Sequence, residues 1–546
     1  MNRRRASVGG GSRIGRRALF GTAGAAIGSA WLHRLLDAAP AGAAPAAGGT
    51  LLVGEGFDIA NLDPGRTLDL TSNMINLAVY DTLVTFAGED LKTPKPRLAT
   101  SWTVSPDGKT YTFKLRSGVR FESGRELTSE DVKWSFDRLK NIESQAAFLL
   151  DGVDNVGAPD PQTVTITLQR PKPSIIPIVS HPSLGVLDRV VVQAQGGDAG
   201  ADAKTKDHAE SFLSSHSAGT GAFRLVSYSP NNEAILARNP SSWRQPHVER
   251  VVLKNILEPA SQQLQLERGS IDIADTIGHP QADALVSRPG VVVRHSMSAT
   301  TFYLLMNLDP KIGGPFSNPK VQQAVRYALD YEGLMALAGP GAVRLAGMLT
   351  PAFPGALPAS EAVKTDRARA KALLKEANLT GARGKLSYVS GWVRFGVQID
   401  PVVQKIQADL ATVGIQVELN GMPILAAKQL FRGGNAQFLI WSWAPDYADQ
   451  DDYLVFLPGR LVGKYAHWTP ETSPEARQLA ALGAQAETEI DTQKRSALYQ
   501  RVDHMLAQGP WVPLFVPALP FAFRSAVGGA TYNAIWELDL AAITKS

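Results

Sequence analysis

The sequence predicts a mixed α/β protein of more than one domain. Three observations carry that expectation. The 546 residues are too many for one hydrophobic core. Short alternating or uniformly apolar runs, read as strands, are interleaved with segments of helical periodicity. The composition, 44% hydrophobic and 19% charged, is that of an ordinary globular chain and carries no disorder signature.

Residues 1–46 read as an address label. They hold seven arginines and one acid, Asp37, hence +6 of a net charge of +4, which leaves −2 for the rest. The basic balance therefore belongs to the leader, and a nucleic-acid surface is not expected. A basic stretch to Arg17 is followed by the apolar run Ala18–Leu32 and the small-residue segment Ala38–Ala47. This is the three-part layout of an export signal. Arg16-Arg17 before Ala18-Leu19-Phe20 resembles a twin-arginine signal, with cleavage between Ala41 and Ala47. An uncleaved anchor is the other reading. The chain has no cysteine, which excludes disulfides, thiolate metal sites, a cysteine nucleophile and a lipidated N-terminal cysteine.

Leu51-Leu52-Val53 opens the body as a strand. Trp102 and Val104, the Pro106-Asp107-Gly108 turn, and Tyr111, Phe113 and Leu115 spell a hairpin. Thr128 with Asp131 three residues on is a capping box, and Val132, Phe136 and Leu139 give that helix one apolar face. Thr163–Leu168 is a strand. Phe223–Val226 and Ala234–Ala237 pair around Pro230-Asn231-Asn232. Val251–Leu253, a helix over Gln262–Arg268 and Ile271–Ala274 form a β-α-β pattern. Thr301–Met306 is a further strand. Asn318 caps a helix that starts with Pro319. Helices over Asp366–Ala377, around Val403–Leu410, from Ser473 and over Thr492–Ala507 alternate with strands at Ile415–Leu419, Phe438–Trp443, Val512–Val516 and Phe521–Phe523.

Five blocks carry a resemblance. Leu98-Ala99, Ser101-Trp102, Asp107-Gly108, Tyr111, Phe113, Leu115-Arg116, Gly118-Val119, Phe121, Gly124 and Asp131-Val132 form the first. Gly219-Thr220-Gly221-Ala222-Phe223 is the second, with Ala222 where proline is usual. Asn239-Pro240 with Trp243 is the third. Asn307, Pro315-Phe316 and Val321–Asp330 form the fourth. The fifth is Trp441–Tyr453, with Gln450 in place of proline. In this order they resemble the bacterial extracellular solute-binding proteins of the peptide/nickel class, components of ABC importers. The resemblance implies an α/β periplasmic binding protein of type II, two lobes that close by a hinge, with an extra subdomain in the N-terminal lobe. The expected boundaries are signal 1–46, lobe I at 47–85, 216–299 and 512–546, extra subdomain 86–215, and lobe II at 300–511. The hinge is expected near Thr300–Leu304 and Leu506–Leu514. The resemblance further implies a small-molecule or short-peptide ligand, a membrane permease as partner, a monomer in the periplasm that is not lipid-anchored, no cofactor and no metal.

Asp446 is the first candidate ligand residue. A peptide's ammonium enclosed in a dry cleft needs a carboxylate, and in peptide-binding members of the resembled family the matching aspartate holds the amine. Trp441, Trp443 and Tyr447 would supply cation–π faces and tolerant walls. Capping a turn is the structural alternative for Asp446. The run Asp446, Asp449, Asp451, Asp452 lacks the glycine and distal glutamate of a calcium loop and reads as a solvated acidic loop. Arg394, beside Trp392, is the candidate for a ligand carboxylate. Arg326 reads as a structural surface residue. Gly219 and Thr220 offer backbone groups or a tight turn, and Tyr80, with the loop Asp63–Ser72, a lobe I wall, although Tyr80 on a helix face reads equally well as core.

Rival readings have little to stand on. None of the nine histidines falls at metal-ligand spacing. No Walker A loop or Gly-x-Ser-x-Gly elbow is present, and Ser317-Asn318-Pro319-Lys320 lacks the partner motif of a penicillin-binding hydrolase. A non-peptide solute on the same fold (opine, glutathione, oligosaccharide or nickel chelate) is the alternative ligand class, and a secreted hydrolase the alternative of another kind.

Overall fold

A computed structural model describes residues 49–57 and 59–546. The export-signal reading of residues 1–46 lies outside them. Among the described residues no helix is long and apolar enough to cross a membrane.

Two large sheets organise the chain. Thr50–Glu55 is apolar up to its last residue and runs parallel to Arg250–Asn255 on one side and Ile273–Ala274 on the other. Antiparallel neighbours extend this to seven strands: Val291–Met297 and Ala518–Arg524 beyond one edge, Glu233–Arg238 and Phe223–Ser229 beyond the other. The second sheet has six strands in the order Val343–Arg344, Trp511–Val516, Thr301–Met306, Phe438–Trp443, Arg383–Val389, Gln416–Met422. Thr301–Met306 and Trp511–Val516 are buried at every position, as apolar runs covered on both faces should be.

The chain passes between these sheets twice, at 298–300 and at Pro517. The sequence reading put the second passage earlier, at Leu506–Leu514, and assigned 512–516 to lobe I. Those residues instead pair antiparallel with Thr301–Met306 in the second sheet, Leu304 opposite Val512 and Phe302 opposite Phe515. An apolar strand reads the same in either sheet, and only its partner decides. The two passages are tied together: Ser298 donates to the Pro517 carbonyl from its backbone N–H at 3.2 Å and from its hydroxyl at 2.7 Å.

A third, four-stranded antiparallel sheet (Ala99–Val104, Thr110–Leu115, Thr163–Leu168, Val153–Asp160) packs with helix Ser129–Asn141 around its own core, including Phe113, Phe136 and Ile166. The predicted capping box is present, with the Thr128 N–H donating to Asp131 at 2.9 Å. Asn318 accepts from Lys320 N–H at 2.9 Å and starts Pro319–Ala328. Arg326 is structural but not on the surface. It is buried, and its guanidinium donates to the carbonyls of Gly509 and of Trp511, the latter at 3.0 Å.

Candidate functional site

A cavity of about 1070 Å³ lies between the seven-stranded and six-stranded halves. Strand Phe438–Trp443 delivers one wall. It is central in its sheet, so its backbone is fixed on both sides, and Trp441 and Trp443, two residues apart, share one face. Trp441 stacks on Phe431 with centroids 5.0 Å apart and meets Trp392 at 5.6 Å. Trp443 packs edge-on to Phe456 and donates its indole N–H to Asp452 at 2.6 Å.

Beyond the strand, Ala444-Pro445-Asp446 turns the chain, and Asp449 caps the short helix Gln450–Phe456. Asp446 and Asp452 both line the cavity. Asp446 is half-buried, and the surrounding protein pushes its carboxyl up to about 7. Burial, and then the charge of Asp446, push Asp452 well above the usual range. Among the described residues neither makes an ion pair. The expected solvated loop is therefore a correction: Asp449, Asp451 and Asp452 are all buried. Two of them have strong anchors that sequence spacing could not show. Arg495 grips Asp449 through two bonds of 3.0 and 2.6 Å. Asp451 accepts from Ser174 at 2.7 Å and Tyr499 at 2.9 Å.

Of the other predicted residues, Tyr447, Trp392 and Arg394 also line the cavity. Tyr447 is buried against the core of the four-stranded sheet and donates to Asp451 at 3.3 Å. Arg394 lies over the Phe395 ring at 4.3 Å, makes no ion pair among the described residues, and has a buried Nε without a partner. Burial pulls its pKa down.

Tyr80, Gly219 and Thr220 do not line this cavity. Tyr80 is fully buried core. A Cβ at Gly219 would collide with the Val79 carbonyl, so the Gly-Thr-Gly turn exists to let two backbones touch. Thr220 donates to Asp81 at 2.9 Å, as does the Trp243 indole at 2.9 Å, and Arg97 reaches Asp81 at 2.7 Å. Burial pushes the Asp81 carboxyl up, but Arg244 and Arg97 more than offset it and hold it well below the usual range. The motif residues thus build one buried charge node that braces the lobe. The loop before Tyr80 does reach the wall, through Leu68, Asp69, Leu70 and Thr71.

Sequence reasoning missed a second set of carboxyls. Glu55 is the last residue of its strand and Asp275 directly follows that strand's parallel neighbour, where Gly54 pairs with Ala274. Glu537 comes in from the C-terminal segment with φ 64°, a left-handed conformation unusual for glutamate. Oxygens from all three lie within 4.8 Å of one another. Burial raises all three: Asp275 to about 7 and, with the help of Asp275's charge, Glu537 to about 8. Glu55 is raised well above its usual range by burial, then by Glu537 and Asp275. The available signal was an acid closing an apolar strand at its carboxyl end, where open α/β sheets bind ligands. The neighbouring His181 is buried and pushed down to about 3, with Nδ1 accepting from Ser183 N–H at 3.0 Å.

Residues 93–460 match the family model described as bacterial extracellular solute-binding proteins, family 5 Middle. A probable D,D-dipeptide-binding periplasmic protein of Escherichia coli (strain K12) is 26% identical over 507 residues, which cover 89% of this chain and 92% of that relative. Di/tripeptide-binding protein 2 of Pseudomonas aeruginosa (strain UCBPP-PA14) is 28% identical over 510 residues, with 87% and 90% covered. A solved structure of an ABC transporter-associated periplasmic binding protein from Helicobacter pylori, in complex with the peptide STSA, matches with a TM-score of 0.75 at 24% identity over 91% of this chain and 98% of that one. The fold is that of the type II periplasmic binding proteins. The chain belongs to family 5 of the bacterial extracellular solute-binding proteins, a family of solute-capturing proteins and not of enzymes.

Proposed function

We propose that this protein captures a short peptide, or a peptide-like solute with a free amine, and delivers it to the permease of an ABC importer without chemical turnover. The observation that carries the reading is the pair Asp446 and Asp452, two carboxyls on the cavity wall with no cation of their own. An ammonium supplies the missing charge, and the Trp441 and Trp443 rings offer it aromatic faces. Arg394, unpaired and partly buried, would face the ligand's carboxylate. The peptide-binding names of the relatives agree with this reading. A nickel chelate finds no support, because His181, the wall's one histidine among the described residues, is buried, neutral and already hydrogen-bonded.

Sheet membership supports lobes at 47–85, 216–297 and 518–546 for the first, with 86–215 as its extra subdomain, and 298–517 for the second. Closure by rotation about the two passages belongs to the same proposal, as do twin-arginine export of residues 1–46, a periplasmic location without a lipid anchor, and action as a monomer without nucleic acid. The test is thermal stabilisation of the exported protein by matched peptides with free and N-acetylated amines. Free amines should raise the melting temperature and acetylated ones should not; equal stabilisation by both removes Asp446 as the amine anchor.

A further inference from the structure

The Glu55, Asp275 and Glu537 carboxyls have no use in the reading above. Glu55 and Glu537 line the same cavity from the seven-stranded side, across from the sheet that bears Asp446. Asp275, fully buried, does not line it, and both of its oxygens lack a hydrogen-bond partner. One oxygen each of Glu55 and Glu537 is likewise buried and unpartnered. So is the Tyr532 hydroxyl, a neutral group beside the cluster whose ionisation all three acids oppose. Among the described residues no lysine or arginine forms an ion pair with any of the three. Arg394 bears on Glu537 from the opposite wall without reaching ion-pair distance, and one guanidinium cannot match three carboxyls. Buried carboxyls with free oxygens cost stability unless something arrives to use them. Glu55 and Glu537 open onto the cavity, and Asp275 lies behind them.

We propose that Glu55, Asp275 and Glu537, with the Tyr532 hydroxyl, form a second cation subsite on the lobe I wall, which takes an ammonium or guanidinium group of the captured solute. The preferred ligand then carries two separated positive charges, such as a short peptide with a free amine and a lysine or arginine side chain. This rests on the amine reading only for the first of the two charges.

The experiment is titration calorimetry on the exported full chain with di- and tripeptides carrying lysine at each position, their norleucine isosteres, and N-acetylated forms of both. The wild type should bind the best lysine peptide at least about tenfold tighter than its isostere. That ratio should fall towards one in Asp275→Asn and in Glu537→Gln, each checked for a cooperative melting transition. Two variants are used because one could fail to fold. The proposal is overturned by a wild-type ratio near one, by a ratio unchanged in both variants, or by no binding of any lysine peptide. It is also overturned if calcium, magnesium or manganese chloride alone stabilises the wild type and not the variants, which would make the cluster a metal site. Acetylated peptides that bind as well as free ones would sink the Asp446 assignment and leave the lysine-to-norleucine ratio to judge this one.

Discussion

Asp63 and Asp207 meet Arg138 at 2.7 and 2.8 Å in the interior, whereas Asp446 and Asp452 on the cavity wall meet no cation among the described residues. Both pairs are held by rigid surroundings. The interior pair is matched with full hydrogen bonding, as is Asp81 with Arg97, Arg244, Trp243 and Thr220. Charge is cheap to bury only when so matched. Asp63, Asp207 and Asp81 are matched this carefully, whereas Asp446 and Asp452 are left for the proposed ligand.

The strongest way to break this contrast is to unmatch an interior pair. Arg138→Ala leaves two buried carboxylates with Arg66 as their one remaining cation and should cost about 3–5 kcal/mol of folding stability in urea melts, with little change in ligand affinity where the protein still folds. Asp446→Ala should do the reverse. Binding of free-amine peptides should weaken by roughly 2–5 kcal/mol in calorimetry, while urea stability stays level or rises. If Asp446→Ala destabilises the protein as Arg138→Ala does, the cavity acid is structural and the contrast fails.

Acidity sharpens the comparison further. Asp446, Asp275 and Asp503 have carboxyls raised to about 7 in the fold. A raised acid holds its proton in the folded state after the unfolded chain has lost it. The unliganded protein should therefore lose stability as pH rises from about 4 through 7. Amine binding needs the ionised form, so peptide affinity should run the other way and fall as pH drops below 7, by up to about tenfold per unit for one carboxylate. Melting temperature and affinity measured over the same pH series should slope in opposite directions; parallel slopes would contradict the assignment. The smallest effect is expected from Trp441→Ala, about 0.5–2 kcal/mol of affinity from lost cation–π contact.

Local chemistry was legible in the sequence. The Thr128–Asp131 box, the Asn318 cap and the strand Phe438–Trp443 are each specified by neighbouring residues, and the structure has them. So was the cavity position of Asp446, through a motif. What the sequence hid depends on partners far along the chain. Asp451 looks like part of an acidic loop until Ser174 and Tyr499 are placed beside it. Glu55, Asp275 and Glu537 come from three distant stretches and share no local pattern. The tight turn at Gly219 and Thr220 was one of two readings open in the sequence, but the Val79 backbone that it touches is supplied by another element.

The bond pair from Ser298 to the Pro517 carbonyl joins the two places where, among the described residues, the chain crosses between its large sheets. Since one acceptor oxygen receives both donors, the crossings form a single mechanical part. The closure proposed above would then turn about these two connections together rather than about either alone.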